Sequence, residues 1–297
     1  MIPIVFASDH NFIIPSCVTL HSLLTTRDNE NVAYDIIVII DPDVNEEDKK
    51  ILTKQVSTDS SDSKIRFIEI GDIFEKGFEI RDISRACYNR LMIPWLLPEY
   101  DKVIYSDVDI IFKEDISEVY KFDLKDSLVA GVGGNVWKKG LINKYIKKIK
   151  ADPDEYINSG FLLINCSLQR EEGLQDKYLE YSKRKFIYQD QDIINLVCKG
   201  RIAKLPEEYN VKPIDSYDSK RKRVKAIHFI GLKPWQYFTY AWNDWWDCFN
   251  SSIVYDSSLN RKISGLILNP TSRIKFMLKA LKQKLKFIKQ YITFRQF

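Results

Sequence analysis

The 297-residue sequence has no apolar run long enough to cross a bilayer. Its longest purely aliphatic run covers residues 36–40, against the ~20 residues a spanning helix needs. The opening stretch is not expected to be a secretory leader: MIPIVFASDH carries no basic region and meets Asp9 early. No C-x-x-C pair occurs. The five cysteines, Cys17, Cys87, Cys166, Cys198 and Cys248, are odd in number and widely spaced, which argues against zinc ribbons and disulfide frameworks. The cytoplasm is the expected compartment. Only three histidines are present, and no Asp or Glu follows Asp256. Residues 257–297 hold ten of the 45 Lys and Arg, so this tail is +10 and the remainder −6. The contrast divides the chain into a body, 1–256, and an appended basic segment, 257–297.

What is present describes a globular body. Hydrophobic residues at 45% and charged residues at 29% exclude a disordered chain. The 13% aromatic content suits sugar-facing surfaces and bulky core filling alike. Buried strands are expected at residues 2–8, 34–40, 64–70, 102–106, 127–133, 160–165 and 226–230, and helices at 16–24, 45–55, 91–97 and 190–197. Asn45 reads as an N-cap with Asp48 three residues on. This alternation predicts an α/β domain around a mixed, mostly parallel sheet. Ligands of such sheets bind beyond the carboxyl ends of the strands. Polar residues gather there: Ser8-Asp9-His10-Asn11, Asp107-Val108-Asp109, and the stretch after His228.

Four motifs stand out. Asp107 and Asp109, at i and i+2 behind an apolar strand, can converge on one hard cation; alone, the pair is equally at home as a solvated strand-end turn. His228 follows an apolar run and precedes Gly231, Lys233 and the rigid Pro234-Trp235 turn. A lone histidine is commonly structural, but beside two carboxylates an imidazole favours manganese, with magnesium as the alternative. Lys233 supplies a point charge for phosphate. Tyr188-Gln189-Asp190-Gln191-Asp192 opens a helix; its carboxylates either serve the helix dipole or, with Gln191, face a site. Tyr156-Ile157-Asn158-Ser159-Gly160 reads as a turn before a strand unless it is recruited to that site.

In order and combination these stretches resemble the retaining glycosyltransferases of family 8, the group containing bacterial lipooligosaccharide galactosyltransferases, related glucosyltransferases and glycogenin. The similar text runs Phe6-Ala7-Ser8-Asp9-His10-Asn11-Phe12, Tyr88-Asn89-Arg90-Leu91, Val103 to Asp109, Asn158 to Asn165, Tyr188 to Asp192, and His228 to Trp235. It covers residues 4–235 in the family's order. The resemblance implies a GT-A fold and a nucleotide-sugar donor, usually a UDP-sugar. It implies that Ala7, Asp9 and Asn11 hold uridine, with Ser8 and Phe12 beside them. It places Arg90 at the donor sugar and phosphates, and Asp107, Asp109 and His228 at the metal, with Val108 between the carboxylates. Asn158, Ser159, Asp190 and Gln191 fall around the transferred sugar. Gly231 and Lys233 fall at the diphosphate.

Transfer through an oxocarbenium-like state releases a diphosphate, whose charge a metal, Lys233 and Arg90 would neutralise. A carboxylate nucleophile would give double displacement. Gln191 is a poor nucleophile, so front-face attack is favoured, with Asp190 as the alternative covalent residue. Two features depart from the family. Gly133-Gly134-Asn135 stands where an acidic residue commonly follows the strand, so galactose is not assigned over glucose. One residue, Leu232, separates Gly231 from Lys233 where two are usual.

In the tail, Ile274, Met277 or Leu278, Leu281, Leu285, Ile288 and Ile292 recur at helical steps between lysines. This predicts a basic amphipathic helix on an anionic membrane surface, or one docked on the body. Nucleic acid is not the expected partner, because the body is acidic. The expectation is thus a peripheral-membrane hexosyltransferase that takes a UDP-hexose and a glycan or glycolipid acceptor in surface polysaccharide or lipopolysaccharide biosynthesis. Two rivals are a haloacid-dehalogenase-like phosphatase, which also opens on D-x-D, and a non-catalytic UDP-binding scaffold. The phosphatase's later Gly-Asp-x-x-x-Asp element is not apparent after residue 109.

Overall fold

A computed structural model describes residues 1–28, 32–71, 73–75, 77–78, 85–134, 138–217, 223–236 and 239–258, with Leu278, Leu281, Lys282 and Leu285. Seven strands form the main sheet: β1 (Ile2–Ser8), β2 (Tyr34–Ile40), β3 (Lys64–Glu69), β4 (Lys102–Ser106), β6 (Val129–Gly133), β7 (Ile157–Asn165) and β8 (Ile202–Lys204), in the order β3-β2-β1-β4-β7-β6-β8. β5 (Ile110–Phe112) and β9 (Ala226–His228) make a separate antiparallel pair, with Ile110 opposite His228. The pairs β1–β2, β2–β3, β1–β4 and β6–β8 are parallel. Those of β7 with β4 and β6 are antiparallel. The sheet is therefore mixed and mostly parallel, as the alternation predicts.

The central strands read as continuous apolar runs because both faces are covered. In β2 only Asp35 is not fully buried. One face packs under α1 (Ile13–Thr25) and α2 (Glu46–Asp59), through Cys17, Leu20, Leu24, Leu52 and Val56. The other packs under α7 (Gln189–Val197) and the 3-10 turns at Arg85–Met92, through Tyr88, Leu91, Ile193 and Ile194. α3 (Ile93–Leu96), α5 (Cys166–Glu171) and α6 (Gln175–Ser182) lie on that second side, and α4 (Gly140–Lys148) joins a small cluster with Tyr156 and Ile187. α8 (Trp242–Ser251) buries Trp245, Trp246 and Phe249 against Val18 of α1 and Ile111 of β5.

Local signals place several boundaries. Asn45 caps α2, and the reciprocal bond from Asp48 completes a capping box. Met92 ends a 3-10 segment where helix was expected from Leu91, because Pro94 restricts the chain there. Residues 158–160, expected as a turn, lie inside β7. That strand starts three residues earlier than its apolar run. Its polar opening is tolerated because hydrogen bonds to Arg90, Gln191 and Asn210 satisfy it.

Most of the tail's expected helix lies outside the described residues. Leu278, Leu281, Lys282 and Leu285 are helical, and each of these leucines is more than half exposed. No helix among the described residues is long and apolar enough to cross a membrane.

Candidate active site

The D-x-D loop joins the two sheets. Asp107 leaves β4 and its N–H donates to the Gly160 carbonyl of β7 at 2.8 Å. Asp109 leads into β5, and its carbonyl accepts from Phe229 N–H at 3.0 Å, just beyond β9. Two hydroxyls of α1 hold the loop from beneath. Thr19 Oγ1 donates to the Val108 carbonyl at 2.8 Å, and Ser22 Oγ accepts from Phe112 N–H at 3.1 Å. Val108 turns its side chain into the core.

His228 ends β9 and points at both carboxylates. Its Nε2 lies 3.2 Å from Asp109 Oδ1 and 3.6 Å from Asp107 Oδ2. Gly160 faces the imidazole from β7. Among the described residues these three form one cluster of potential ligand atoms. A divalent cation fits the set. Two carboxylates and an imidazole are an apt donor set for manganese, and Asp109 Oδ1 is buried with no hydrogen bond to accept. Burial pushes the Asp109 carboxyl up, but the Lys233 ammonium and His228 outweigh it and hold the group well below the usual carboxylate range. It is a carboxylate at any physiological pH.

Lys233 pairs with Asp109 and also donates to the Phe229 carbonyl at 3.0 Å. Gly231 sits at φ +90, a conformation that side chains disfavour. With one residue after this glycine, the ammonium still reaches the D-x-D pair. Trp235, past Pro234, packs edge-on against Phe12 at 5.9 Å between ring centres.

Arg90 forms the opposite wall. It is buried, and its Nη2 lies 2.9 Å from Asp107 Oδ1, its Nε 3.2 Å from Asp190 Oδ2. Nη1 donates to the Ser159 carbonyl at 2.9 Å. The guanidinium also lies 4.6 Å from the centre of the Tyr105 ring, whose hydroxyl donates to Asp107 at 2.7 Å. Burial pushes the Asp190 carboxyl upward and Asp107 adds to this; Arg90 opposes both. Gln191 Oε1 accepts from Asn158 Nδ2 at 2.8 Å and from Ser159 N–H at 3.4 Å. Just before this pair, Gln189 holds φ +43, a strained conformation for a residue with a side chain.

The structure thus brings Arg90, Asp107, Asp109, Asn158, Ser159, Asp190, Gln191, His228 and Lys233 into one connected group. Ala7, Ser8, Asp9, Asn11 and Phe12 form a second strip at the end of β1, linked to the first through the Phe12–Trp235 contact. Asp9 accepts from Asn11 N–H at 2.8 Å, Ser8 Oγ meets Ser16 Oγ at 2.9 Å, and Asn11 is exposed. Beside this strip Asn89 Nδ2 donates to Asp41 Oδ1 at 3.1 Å.

Asp192, inside the Tyr188–Asp192 motif, and Asn195, outside every motif, support the site from behind. Asp192 accepts from the Tyr145 hydroxyl at 2.6 Å, from the Tyr156 hydroxyl and from Tyr188 N–H at 2.8 Å. Asn195 bonds both the N–H and the carbonyl of Ile157, at 2.8 and 2.9 Å, fixing α7 against the start of β7. For Asn195 the sequence signal was a polar residue within the apolar stretch Ile193 to Val197.

Comparison with known proteins agrees with this geometry. The chain resembles the lipopolysaccharide glucosyltransferase WaaO of Escherichia coli K12, 24% identical over 263 residues, spanning 82% of this chain and 74% of that protein. It is 22% identical over 250 residues to the lipopolysaccharide 1,3-galactosyltransferase of Salmonella typhimurium, across 78% and 72% of the two chains. In structure it is similar to the galactosyltransferase LgtC, solved with donor and acceptor sugar analogues. There the TM-score is 0.74 at 23% identity, over 88% of this chain and all of that one. The fold is GT-A, that of a large class of glycosyltransferases. The profile of glycosyl transferase family 8 matches residues 3–239, and the chain belongs to that family. It is a glycosyltransferase, and neither the phosphatase nor the scaffold reading is favoured.

Proposed function

We propose that this enzyme is a metal-dependent, retaining hexosyltransferase. It moves glucose or galactose from a UDP-sugar to a glycan or lipid-linked acceptor in surface polysaccharide or lipopolysaccharide-type biosynthesis. The observation that carries the reading is the continuity of the Asp107–Asp109–His228 cluster with Arg90–Asp190 on one side and Asn158–Gln191 on the other. The names of the two lipopolysaccharide transferases above support the hexose and the acceptor class.

Asp107, Asp109 and His228 would hold the ion, manganese or magnesium. When bound, it supplies positive charge to the diphosphate leaving group. Lys233 adds its ammonium there, and Arg90 spans the carboxylates between the diphosphate and sugar sides. Ala7, Ser8, Asp9, Asn11 and Phe12 receive the uridine, with Gly231 allowing close backbone approach. Asn158, Ser159, Asp190 and Gln191 surround the transferred sugar. Front-face attack is favoured. The C1–O bond to phosphate breaks and the C1–O bond to the acceptor forms on the same face, while the acceptor's hydroxyl proton passes to the departing phosphate oxygen. Two observations support this over double displacement. Gln191 Oε1 already accepts two hydrogen bonds, and the Asp190 carboxylate is engaged by Arg90.

Association of the tail with an anionic membrane surface, on its cytoplasmic face, is part of this reading. Leu278, Leu281 and Leu285 share one exposed helical face, and no acidic residue offsets the ten basic ones around them. The test of the activity is release of UDP from UDP-glucose, UDP-galactose and their N-acetyl forms, with Mn²⁺ and with EDTA. Metal-dependent release from one donor is expected. Silence on all four, with no UDP binding, would overturn the donor assignment. Asp109→Ala is expected to abolish release while leaving the circular dichroism spectrum unchanged.

A further inference from the structure

Asn210 lies just before β9's bridge partner Val211, outside every motif singled out in the sequence. It is buried between two parts of the site. Its Oδ1 faces His228 Nδ1 at 2.9 Å, and its Nδ2 donates to Asn158 Oδ1 at 2.8 Å. Asn158 Nδ2 in turn donates to Gln191 Oε1.

The direction of this chain is fixed by two backbone N–H groups, which can only donate. Ser159 N–H points at Gln191 Oε1, so that oxygen is an acceptor. Gly160 N–H donates to Asn158 Oδ1 at 3.0 Å, so that atom is an oxygen and Asn158 cannot flip without orphaning a buried N–H. Asn210 must then turn its NH₂ to Asn158 and its oxygen to His228. An oxygen there requires the proton on Nδ1. In the neutral ring, the form that can ligate a metal, the lone pair of His228 is therefore left on Nε2, the atom that faces Asp107 and Asp109. The partner of the second ring nitrogen generally sets the tautomer of a ligating histidine.

We propose that Asn210 is a positioning residue. It fixes the His228 tautomer and couples the metal site to the sugar-facing amides Asn158 and Gln191 through a one-way relay. The proposal rests on reading Asp107, Asp109 and His228 as metal ligands, and two measurements separate it from that reading. The first needs no metal. With ¹⁵N-labelled histidine, a chain holding only three histidines allows each ring to be assigned, and the imidazole ¹⁵N shifts report the tautomer above the titration range. The second is Mn²⁺ affinity by electron paramagnetic resonance.

In the wild type, His228 is expected to carry its proton on Nδ1. Asn210→Leu should lose that preference and bind Mn²⁺ about 10–100-fold more weakly, the usual scale for an outer partner of a ligand. Asn210→Asp should keep both the tautomer and the affinity, because a carboxylate still accepts from Nδ1–H. It cannot donate to Asn158, so kcat for UDP release should fall at least about tenfold with the Mn²⁺ affinity held. A thermal melt checks that each variant is folded. Protonation on Nε2 in the wild type, or an Asn210→Leu protein with unchanged tautomer and Mn²⁺ affinity, would overturn the proposal. Equal kcat in Asn210→Asp would overturn the coupling. A wild type that binds no Mn²⁺ yet protonates Nδ1 would overturn the metal reading and leave the tautomer assignment standing.

Discussion

Gly160 and His228 approach so closely that no side chain fits between them. A Cβ on Gly160 would lie 2.2 Å from His228 Cε1 and 2.8 Å from Asp107 Oδ2. The penalty is one of space alone, since this glycine is not in the left-handed region. Gly160→Ala should push the imidazole away from the carboxylates. Mn²⁺ affinity is expected to drop at least about tenfold with the secondary structure intact, as read by Mn²⁺ titration alongside circular dichroism. Wild-type affinity would mean that the ring has another place from which to ligate.

Arg90 is expected to matter for stability as well as turnover. It is buried and faces two carboxylates, Asp107 and Asp190. Arg90→Ala would leave both without their cation, and breaking a buried pair in this way costs about 3–5 kcal/mol. Urea denaturation should show that loss. Arg90→Lys keeps a charge but not the fork that spans both partners, so it should recover part of the stability and little of the activity.

Asp192 makes the fold pH-dependent in an unusual direction. Burial pushes its carboxyl up from 3.8 to about 6, against the hydrogen bonds from Tyr145, Tyr156 and Tyr188 and with help from Asp190. The native state then holds this proton more tightly than the unfolded chain. Its contribution is fully present below about pH 4 and is lost as pH rises through 6, by roughly 3 kcal/mol at 1.36 kcal/mol per pKa unit. Asp192→Asn should remove that slope. Subtracting the stability curves of variant and wild type between pH 4 and 7 tests it, and parallel curves would contradict the assignment.

Removing residues 259–297 should abolish binding to phosphatidylglycerol vesicles and leave metal-dependent UDP release unchanged. The wild-type interaction should weaken with salt, because charges held at a membrane surface are screened within a Debye length. Sedimentation with vesicles at two ionic strengths reads both effects. Binding by the shortened chain would place the membrane contact on the body instead.

The sequence made the parallel half of the sheet legible, because β1, β2 and β4 are apolar runs closed by polar residues. The runs of β1 and β4 are followed by candidate site residues, Asp9 and Asp107, and that of β2 by Asp41, which accepts from Asn89 beside the β1 strip. β7 was harder to read. Asn158, Ser159 and Gly160 look like a turn, and tertiary pairing, of Gly160 with Asp107 and of Ile157 with Gly133, makes them strand. The residues proposed as ligands and sugar contacts stood out as short local motifs, Asp107 to Asp109, Asn158-Ser159, Asp190-Gln191 and His228 to Lys233. Asn210, Thr19 and Asn195 did not, since each acts through hydrogen bonds to a distant segment. No local pattern distinguishes such a residue from an ordinary polar one.

The reversed run of β7 has a practical corollary for redesign. Its first residues meet Gln191, whereas Asn165, eight positions on, stands roughly 25 Å away at ~3.3 Å per residue. On the proposed donor site, lengthening the segment between α4 and β7 would graft new chain beside the transferred sugar. The same insertion after Asn165, where α5 begins, would decorate the far edge of the sheet. Libraries meant to alter the donor should vary the first connection, and fusion partners or affinity handles belong at the second.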